Sequence, residues 1–407
     1  MAIAATTIWE CMQNATANMV NGGGFNATNA NVGTDYSQQT TAHLTITDLV
    51  IGADNTTVTS ALTAFDSLDP GNILHITAGV NFTAGWYEVV SVTGVVATLD
   101  RACGTATSTG GTAYLGGALS LNSTLDDDFF EQCVAGNIVY IKYSANNYGL
   151  GEGVSISMDG TATASITVEG YNTTRGDDPT GTNRPTINGA ANSLSFGDFW
   201  IVKNLIFTGT STTNFAFNTS DFVINCKSTN TSATANRPGI NIVGVGVKVV
   251  NCEGISTNGY AIIRGTDIGK VFGCYLHDSS VGLYFSGGDN FIVAFCIIDT
   301  CTTAIDVTGS SGNGLSNVFL NNTLYSGTTG INMNSFTGFN IFANNIISDF
   351  TTGATSDVIN NTNLWMNNDF YNCTTDRTNV TVGESDIDVD PGFTDAPNGN
   401  FAISGDI

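Results

Sequence analysis

One motif, repeated along the chain, decides the fold: VVNCEGI (249–255), VFGCYLH (271–277) and VAFCIID (293–299). Each copy alternates apolar and variable residues and has a small residue or an Asn near its centre, followed by an anchor residue. The anchors of all eight copies are Leu205, Cys226, Cys252, Cys274, Cys296, Asn322, Asn345 and Asn368. Successive anchors are separated by 21, 26, 22, 22, 26, 23 and 23 residues. A repeat of this length indicates a solenoid with stacked coils.

A second apolar motif follows each anchor and completes the coil. Its copies include NGYAII (258–263), VGLYF (281–285), TAIDV (303–307), TGINM (329–333) and TGATS (352–356). Each coil therefore contains at least two short strands joined by polar turns. The pattern predicts an all-β protein whose residues 141–407 form a right-handed parallel β-helix, with a closing coil at 386–404.

Composition and charge narrow the classes of partner. The chain is 42% hydrophobic, has only 11% charged residues and carries a formal net charge of −24. An acidic chain repels phosphate backbones, so no nucleic-acid partner is expected. No apolar run reaches the roughly 18 residues of a membrane span, and the N-terminus has no signal-peptide pattern. We therefore expect no membrane contact and synthesis in a cytoplasm.

Stacking would place the four anchor cysteines in one ladder and the three anchor asparagines in its continuation. Nine Cys is an odd number, so at least one lacks an intramolecular partner. The Cys ladder is interpreted as a stack of small buried side chains, with disulfides or a metal site as the alternative. The Asn ladder predicts side-chain amides that hydrogen-bond from coil to coil.

Residues 1–140 lack the coil period and predict a separate β-rich head. Within it, 61–79, 82–92 and 95–104 are typical of short strands with tight Gly turns, and 118–135 predicts a short helix. Such a head would cap the open end of the stack, where unpaired strand edges otherwise invite aggregation. The loop 173–185 contains RGD (175–177), which is interpreted as a chance tripeptide.

Candidate catalytic residues are sparse. His277 and Asp299 each follow their anchor by three residues, so stacking predicts a His–Asp pair one coil apart, suited to acid–base work. The alternative is a polar pair that lines a turn. The motifs of polygalacturonase-like hydrolases, Walker loops and nucleophile elbows are missing from the sequence, so no enzyme activity is expected.

Candidate metal ligands come from one acidic run. Asp386, Asp388 and Asp390 alternate, so in a strand they would share a face and present three carboxylates to Ca²⁺. The alternative is a solvated acidic strand, since the Gly and terminal Glu of a calcium-binding helix–loop–helix are missing. We expect no cofactor.

The N-terminal third contains the segments WECMQNATANMVNGGGFN (9–26), GTDYSQQ (33–39), NFTAGWYEVVSV (81–92), LDRACGT (99–105), GGALS (116–120) and AGNIVYIK (135–142). These segments resemble the head of β-helix proteins encoded by tailed bacteriophages. The tail DIDVDPGFTDAPNGNFAIS (386–404) resembles the closing coil of many right-handed β-helix proteins. Many relatives carry a different run after the Trp-Glu, where this chain has Cys11 to Thr16, which indicates a different local contact surface.

The resemblance implies a structural virion protein exposed on the particle surface. It implies a capsid decoration, head fibre or tail fibre, with the major capsid protein or other virion proteins as partners, homotrimeric assembly and contact with a host-surface glycan. The alternatives are a tailspike-type polysaccharide depolymerase, in which His277 and Asp299 would act, and a bacterial surface adhesin.

Overall fold

The computed structural model describes most of the chain. The described residues are 3–11, 25–26, 44–67, 69–116, 127–150, 153–210, 217–219, 221–242, 246–264, 269–285, 290–307, 316–334, 339–360 and 362–403. The segment 33–39 and most of 9–26, which carry part of the resemblance, lie outside these ranges. Within them, no helical segment has the length and apolar character that a membrane crossing requires.

Strands account for almost all regular structure. Up to residue 171 they are Thr7–Cys11 (β1), Phe25–Asn26 (β2), Leu44–Ile51 (β3), Thr57–Thr59 (β4), Ile73–Ala78 (β5), Gly85–Thr93 (β6), Val96–Leu99 (β7), Ser108–Leu115 (β8), Ile138–Lys142 (β9), Tyr148–Gly149 (β10), Val154–Ser155 (β11) and Ile166–Tyr171 (β12). Short 3₁₀ helices occupy Asp127–Gln132, Gly181–Asn183 and Ala396–Asn398. The first of these lies in the predicted helix 118–135, of which residues 118–126 are outside the described ranges.

The later strands are short and regularly spaced, as the repeat predicts. They are Thr186–Ala190 (β13), Leu194–Ser195 (β14), Trp200–Lys203 (β15), Ile206–Gly209 (β16), Phe217–Thr219 (β17), Phe222–Ile224 (β18), Lys227–Asn230 (β19), Ile240–Ile242 (β20), Val247–Val250 (β21), Glu253–Ser256 (β22), Tyr260–Arg264 (β23), Gly269–Phe272 (β24), Tyr275–His277 (β25), Val281–Phe285 (β26), Phe291–Ala294 (β27), Ile297–Asp299 (β28), Thr303–Asp306 (β29), Ser316–Leu320 (β30), Thr323–Asn332 (β31), Phe339–Ala343 (β32), Ile346–Asn360 (β33), Leu364–Met366 (β34), Asp369–Tyr371 (β35), Thr375–Val380 (β36), Phe393–Asp395 (β37) and Asn400–Ile403 (β38).

The chain divides into two compact units. The first comprises Met1–Asn188 and Phe196–Ile206, and the second comprises Gly189–Ser195 and Phe207–Ile407. In the first unit, six antiparallel strands close a barrel in the order β3-β4-β7-β6-β5-β8. Its apolar side chains, such as Ile46, Leu74 and Val89, are completely buried. Burial of this apolar surface stabilises the barrel as a core of its own.

Strand β1 lies outside the barrel although it precedes it in sequence. It pairs in parallel with β9, which pairs in parallel with β12, which pairs in parallel with β15. The register aligns Trp9, Val139, Val168 and Val202, and all four side chains are fully buried. The barrel strands β3 to β8 lie between β1 and β9 in sequence, although β1 and β9 pair with each other. The predicted head 1–140 therefore contains β1, which belongs to the parallel stack.

A buried ion pair holds β1 to the loop after β12. Glu10 is fully buried, and its carboxylate accepts hydrogen bonds from the Tyr171 hydroxyl and from the Arg175 guanidinium, whose Nε lies 2.9 Å away. The guanidinium also lies 4.8 Å from the ring centroid of Tyr140. Asp177 accepts backbone N–H bonds from the loop. The Arg and Asp side chains of the RGD tripeptide therefore both bond to other residues of the chain.

In the second unit, the predicted parallel β-helix is confirmed. Seven parallel strands form one sheet in the order β18-β21-β24-β27-β30-β32-β34. The other sheet contains two strands from each of several coils, such as β25 and β26, then β28 and β29. Each pairs with its equivalent in the next coil, so the core is a continuous column of aligned apolar side chains.

The turn before each anchor explains the Asn that recurs there. The residue that precedes each anchor adopts a left-handed conformation, with φ between 50° and 59°. Asn and Gly enter this region at lower cost than other residues. These positions are Asn204, Asn225, Asn251, Gly273, Phe295, Asn321, Asn344 and Asn367. The turn joins the strand of the first sheet to the strand of the second.

The predicted Asn ladder is present and extends by one residue. Asn345 donates its backbone N–H and its side-chain Nδ2–H to Asn368 Oδ1, both at 3.0 Å, and Asn322 donates to Asn345 in the same way. Asn368 donates to Asp386 Oδ1 at 2.8 and 3.1 Å. The ladder therefore satisfies backbone groups at a buried corner.

The anchor cysteines stack in the same corner as small buried side chains. Cys226, Cys252, Cys274 and Cys296 are free thiols, at most 2% exposed. Their Sγ–H groups contact backbone carbonyls; Cys274 Sγ, for example, lies 3.4 Å from the Phe272 carbonyl. Burial raises the pKa of Cys274 well above its ordinary value. This stack agrees with the interpretation as packing rather than as a disulfide.

Candidate functional site

The outer face of the second sheet carries the chemistry-bearing side chains of the solenoid. Along each strand that follows an anchor, the middle side chain is buried and its neighbours point outwards, as Leu276 shows between Tyr275 and His277. We define the outer face by the residues Lys227, Glu253, Tyr275, His277, Asp299 and Tyr325.

His277 and Asp299 are register partners on adjacent coils, as their spacing predicts. Both ring nitrogens of His277 are engaged: Nε2 lies 3.1 Å from Glu253 Oε1 and Nδ1 lies 2.8 Å from Asp278 Oδ2. Asp299 is only 6% exposed and accepts a hydrogen bond of 3.3 Å at Oδ2 from the Tyr275 hydroxyl. Within the described part of the chain, its Oδ1 atom has no hydrogen-bond partner.

The two carboxylates nearest His277 differ in proton affinity. Burial raises the pKa of Glu253, but hydrogen bonds from His277 and from Lys227, whose Nζ lies 2.6 Å away, outweigh it and lower that pKa to about 2. Burial raises the pKa of Asp299 above its ordinary value, and the Tyr275 hydrogen bond opposes this only in part. The outer face thus holds two carboxyl groups whose pKa values are shifted in opposite directions.

The Glu253 contacts should make stability depend on pH. Because the folded-state pKa of Glu253 lies below its ordinary value of 4.5, its stabilising contribution is present above that value. It is lost as the pH falls from 4.5 to about 2. Glu253→Gln should remove this component, so its unfolding free energy should fall less steeply over that interval than that of the wild type. Urea unfolding at several pH values measures both curves; parallel curves would contradict the assignment.

His277 adds a dependence of the opposite sign. Burial lowers the pKa of His277, but its hydrogen bonds to Glu253 and Asp278 raise it above 6.5 overall. Its contribution is therefore complete below pH 6.5 and is lost as the pH rises through the higher folded-state value.

A second cluster on the solenoid surface consists of two tyrosines and an acid. The rings of Tyr260 and Tyr284 stack with centroids 4.4 Å apart and an interplanar angle of 11°. Both side chains are partly exposed, and Asp306 is the register partner of Tyr284 on the next coil. Sequence reasoning missed this cluster. Tyr284 and Asp306 both occupy the fourth position of the second motif, so an alignment of its copies would have shown that they stack.

The three predicted metal ligands do not converge. The Asp386 side chain is 2% exposed; Oδ1 accepts from Asn368, and Oδ2 accepts from the Gly383 N–H at 2.9 Å and from Arg377 Nη2 at 2.8 Å. Asp390 accepts from the Gly392 N–H, whereas Asp388 is exposed. Within the described ranges, no group of three His, Cys, Asp or Glu side chains is arranged to hold a metal ion.

Of the predicted closing coil 386–404, residues 389–403 run back along the outer face, and residue 404 lies outside the described ranges. Before them, isolated parallel bridges at Glu384 and Ile387 continue the stack. Beyond them the chain reverses: the Val389 N–H donates to Asp369 at 3.0 Å, and Asp390 hydrogen-bonds Tyr371. We define the strap as residues 389–403, which end in the antiparallel hairpin of β37 and β38.

The strap lies over the earlier coils of the outer face. Phe393 and Phe401 pack against Tyr325, with centroid distances of 6.2 and 5.4 Å. The turn of the hairpin reaches further, since a Cβ added at Gly399 would lie 3.5 Å from the Tyr275 hydroxyl. Tyr325 is the register partner of Asp299 on the following coil. The strap therefore packs on Tyr325 and comes close to Tyr275, whose hydroxyl donates a hydrogen bond to Asp299.

Comparisons with known proteins return no matching family model and no matching curated protein. Solved structures with a similar fold include the PL6 family polysaccharide lyase Pedsa3628 from Pseudopedobacter saltans, at 15% identity over 55% of this chain and a TM-score of 0.39. The chain covers 62% of that lyase. The catalytic unit of a GH87 alpha-1,3-glucanase from Streptomyces thermodiastaticus is 10% identical, with a TM-score of 0.36. This match covers 87% of this chain and 93% of the glucanase unit.

A phage protein is among the similar structures. The tailspike protein gp49 from Pseudomonas phage LKA1 matches at 12% identity over 86% of this chain and 64% of its own, with a TM-score of 0.30. At such identities and TM-scores, these likenesses concern the β-helix fold and carry no conclusion about activity.

Proposed function

We propose that the chain is a structural β-helix of a tailed-phage virion that binds a glycan on the outer surface of its second sheet. The observation that supports this most directly is the stacked pair Tyr260 and Tyr284 beside Asp306. Aromatic rings with one solvent-exposed face pack against the apolar face of a sugar ring. A neighbouring carboxylate accepts hydrogen bonds from the hydroxyl groups of the sugar.

The charge of the chain narrows the glycan class. With a formal net charge of −24 and Asp306 at the cluster, the surface repels polysaccharides rich in uronic or sialic acids. A neutral glycan, built from hexoses or N-acetylhexosamines, fits the cluster better.

The proposal also covers where the chain sits on the virion and which proteins it contacts there. The resemblance of the N-terminal segments supports attachment to the major capsid protein or to other virion proteins, and homotrimeric assembly is proposed by analogy with phage β-helices. Electron cryo-microscopy of intact virions distinguishes the possible locations. Density over the capsid lattice supports a decoration protein or head fibre, and density confined to the tail supports a tail fibre.

Tyr284→Ala should weaken glycan binding about tenfold. It removes half of the stacked pair, and a lost aromatic contact of about 1.4 kcal/mol corresponds to a factor of ten in the dissociation constant. A panel of neutral oligosaccharides identifies a ligand for the wild type, and calorimetric titration then measures each variant. Tyr284→Phe should bind within a few-fold of the wild type, and Tyr143→Ala, at a partly exposed position in the first unit, should have no effect. Equal affinity of Tyr284→Ala and wild type would contradict the proposal.

A second candidate function is polysaccharide depolymerisation. The specific observation in its favour is the pair of carboxyl groups near His277: the pKa of Glu253 is lowered while the pKa of Asp299 is raised. Glycoside hydrolysis needs one ionised and one protonated carboxyl group. This function would be favoured if new reducing ends form when the wild type is incubated with the oligosaccharides of the binding panel. His277→Ala should then abolish their formation.

A further inference from the structure

We propose that the strap covers a second saccharide subsite, formed by Tyr275, Asp299 and Tyr325, which opens when the strap lifts. This inference rests on the proposed glycan-binding function and adds a regulated site to it. The first step of the argument is burial: Asp299 is 6% exposed although its strand position points its side chain outwards. Its counterparts His277 and Tyr325 on the adjacent coils remain partly exposed.

The buried carboxyl group of Asp299 is only half satisfied. Oδ2 accepts the Tyr275 hydroxyl at 3.3 Å, whereas Oδ1 has no hydrogen-bond partner among the residues that the structure describes. A buried carboxyl oxygen without a hydrogen bond costs free energy of folding. A carboxyl group held in this state is ready to accept a hydrogen bond from a ligand hydroxyl that takes the place of the strap.

Among the described strands, the hairpin of the strap forms a two-stranded sheet of its own. Its attachments to the outer face include the Phe393 and Phe401 rings on Tyr325, the Val389 N–H on Asp369 and Asp390 on Tyr371. Most residues of β37 and β38 are exposed, and the two strands pair only with each other. A two-stranded hairpin is marginally stable by itself, so the strap can open at low cost while the solenoid stays folded.

The uncovered surface would suit a neutral saccharide. Tyr275 and Tyr325 would present two aromatic rings beside Asp299, and these are the same residue types as in the partly exposed Tyr260 and Tyr284 cluster. Glu253 and Asp278 add negative charge at the edge of the subsite, which disfavours anionic sugars.

The test loosens the strap in the full chain with the double variant Phe393→Ala and Phe401→Ala. Two readouts are independent of each other: nitration of Tyr275 and Tyr325 by tetranitromethane, followed by peptide mass analysis, and titration with the neutral oligosaccharide that binds the wild type. We expect at least tenfold faster nitration of these two tyrosines and a second binding event per chain. Ile403→Ala, on an exposed position of β38, is the matched control and should resemble the wild type.

Asp299→Asn, added to the Phe393→Ala and Phe401→Ala double variant, tests where the second saccharide binds. This third substitution should remove the second binding event. Tyr284→Ala should leave it in place. Unchanged nitration in the double variant would overturn the covering role of the strap. Faster nitration without added binding would overturn the subsite, and in that case binding that depends on Tyr284 would show that the proposed function stands by itself. Circular dichroism checks that each variant keeps the folded solenoid.

Discussion

Arg175→Ala should lower the free energy of unfolding by about 3–5 kcal/mol, a large part of the stability of a single domain. The substitution leaves the Glu10 carboxylate fully buried with its partner removed. A buried charge without its partner costs far more than a missing surface contact. Equilibrium unfolding in urea, followed by circular dichroism, measures the change.

A pair on the same stack of strands provides the control for Arg175. Lys203 Nζ lies 3.1 Å from Glu169 Oε2, and the Lys203 side chain is 33% exposed. Because the Lys203 side chain is partly exposed, Lys203→Ala should cost less than Arg175→Ala. The double variant Glu10→Leu with Arg175→Met should recover much of the loss, because neither charge then remains in the core. Equal losses for Arg175→Ala and Lys203→Ala would show that the buried pair has no special role.

Asn345→Ala should destabilise the second unit by about 3–4 kcal/mol. Asn345 accepts two hydrogen bonds from Asn322 and donates to Asn368 and to the Phe319 carbonyl, each at 3.0 Å. Alanine would leave these buried groups without side-chain partners, at about 1–3 kcal/mol for each unsatisfied group. The midpoint of thermal unfolding and the urea transition both measure the loss.

The control for the ladder is an exposed asparagine. Asn146 is exposed, and the hydrogen bond that involves it uses its backbone N–H, which alanine retains. Asn146→Ala should therefore change the unfolding free energy by at most about 0.5 kcal/mol. If Asn345→Ala were as mild, the ladder would be a consequence of the fold rather than a source of its stability.

Sequence spacing located only part of the candidate site. The anchor spacing correctly paired His277 with Asp299, because parallel coils align equivalent positions. The role of Asp386 was less accessible: it follows Asn368 by 18 residues, outside the range of 21 to 26 residues that separates the other anchors. The acidic alternation at 386–390 therefore suggested metal ligands, whereas Asp386 takes the place of a ladder Asn.

By itself, the sequence determined the parallel β-helix, its coil spacing and the Cys and Asn ladders. These follow from local periodicity, since each repeat bonds to the next and the same residue type recurs at the same place. Only the tertiary structure decided that β1 pairs with β9 although the barrel lies between them in sequence, that Arg175 meets Glu10 and that the strap runs back to Tyr325. These contacts join residues far apart in sequence without any repeating pattern. They depend on which surfaces remain exposed after the coils have stacked. The spacing of the sequence repeat does not specify which segment will cover those surfaces.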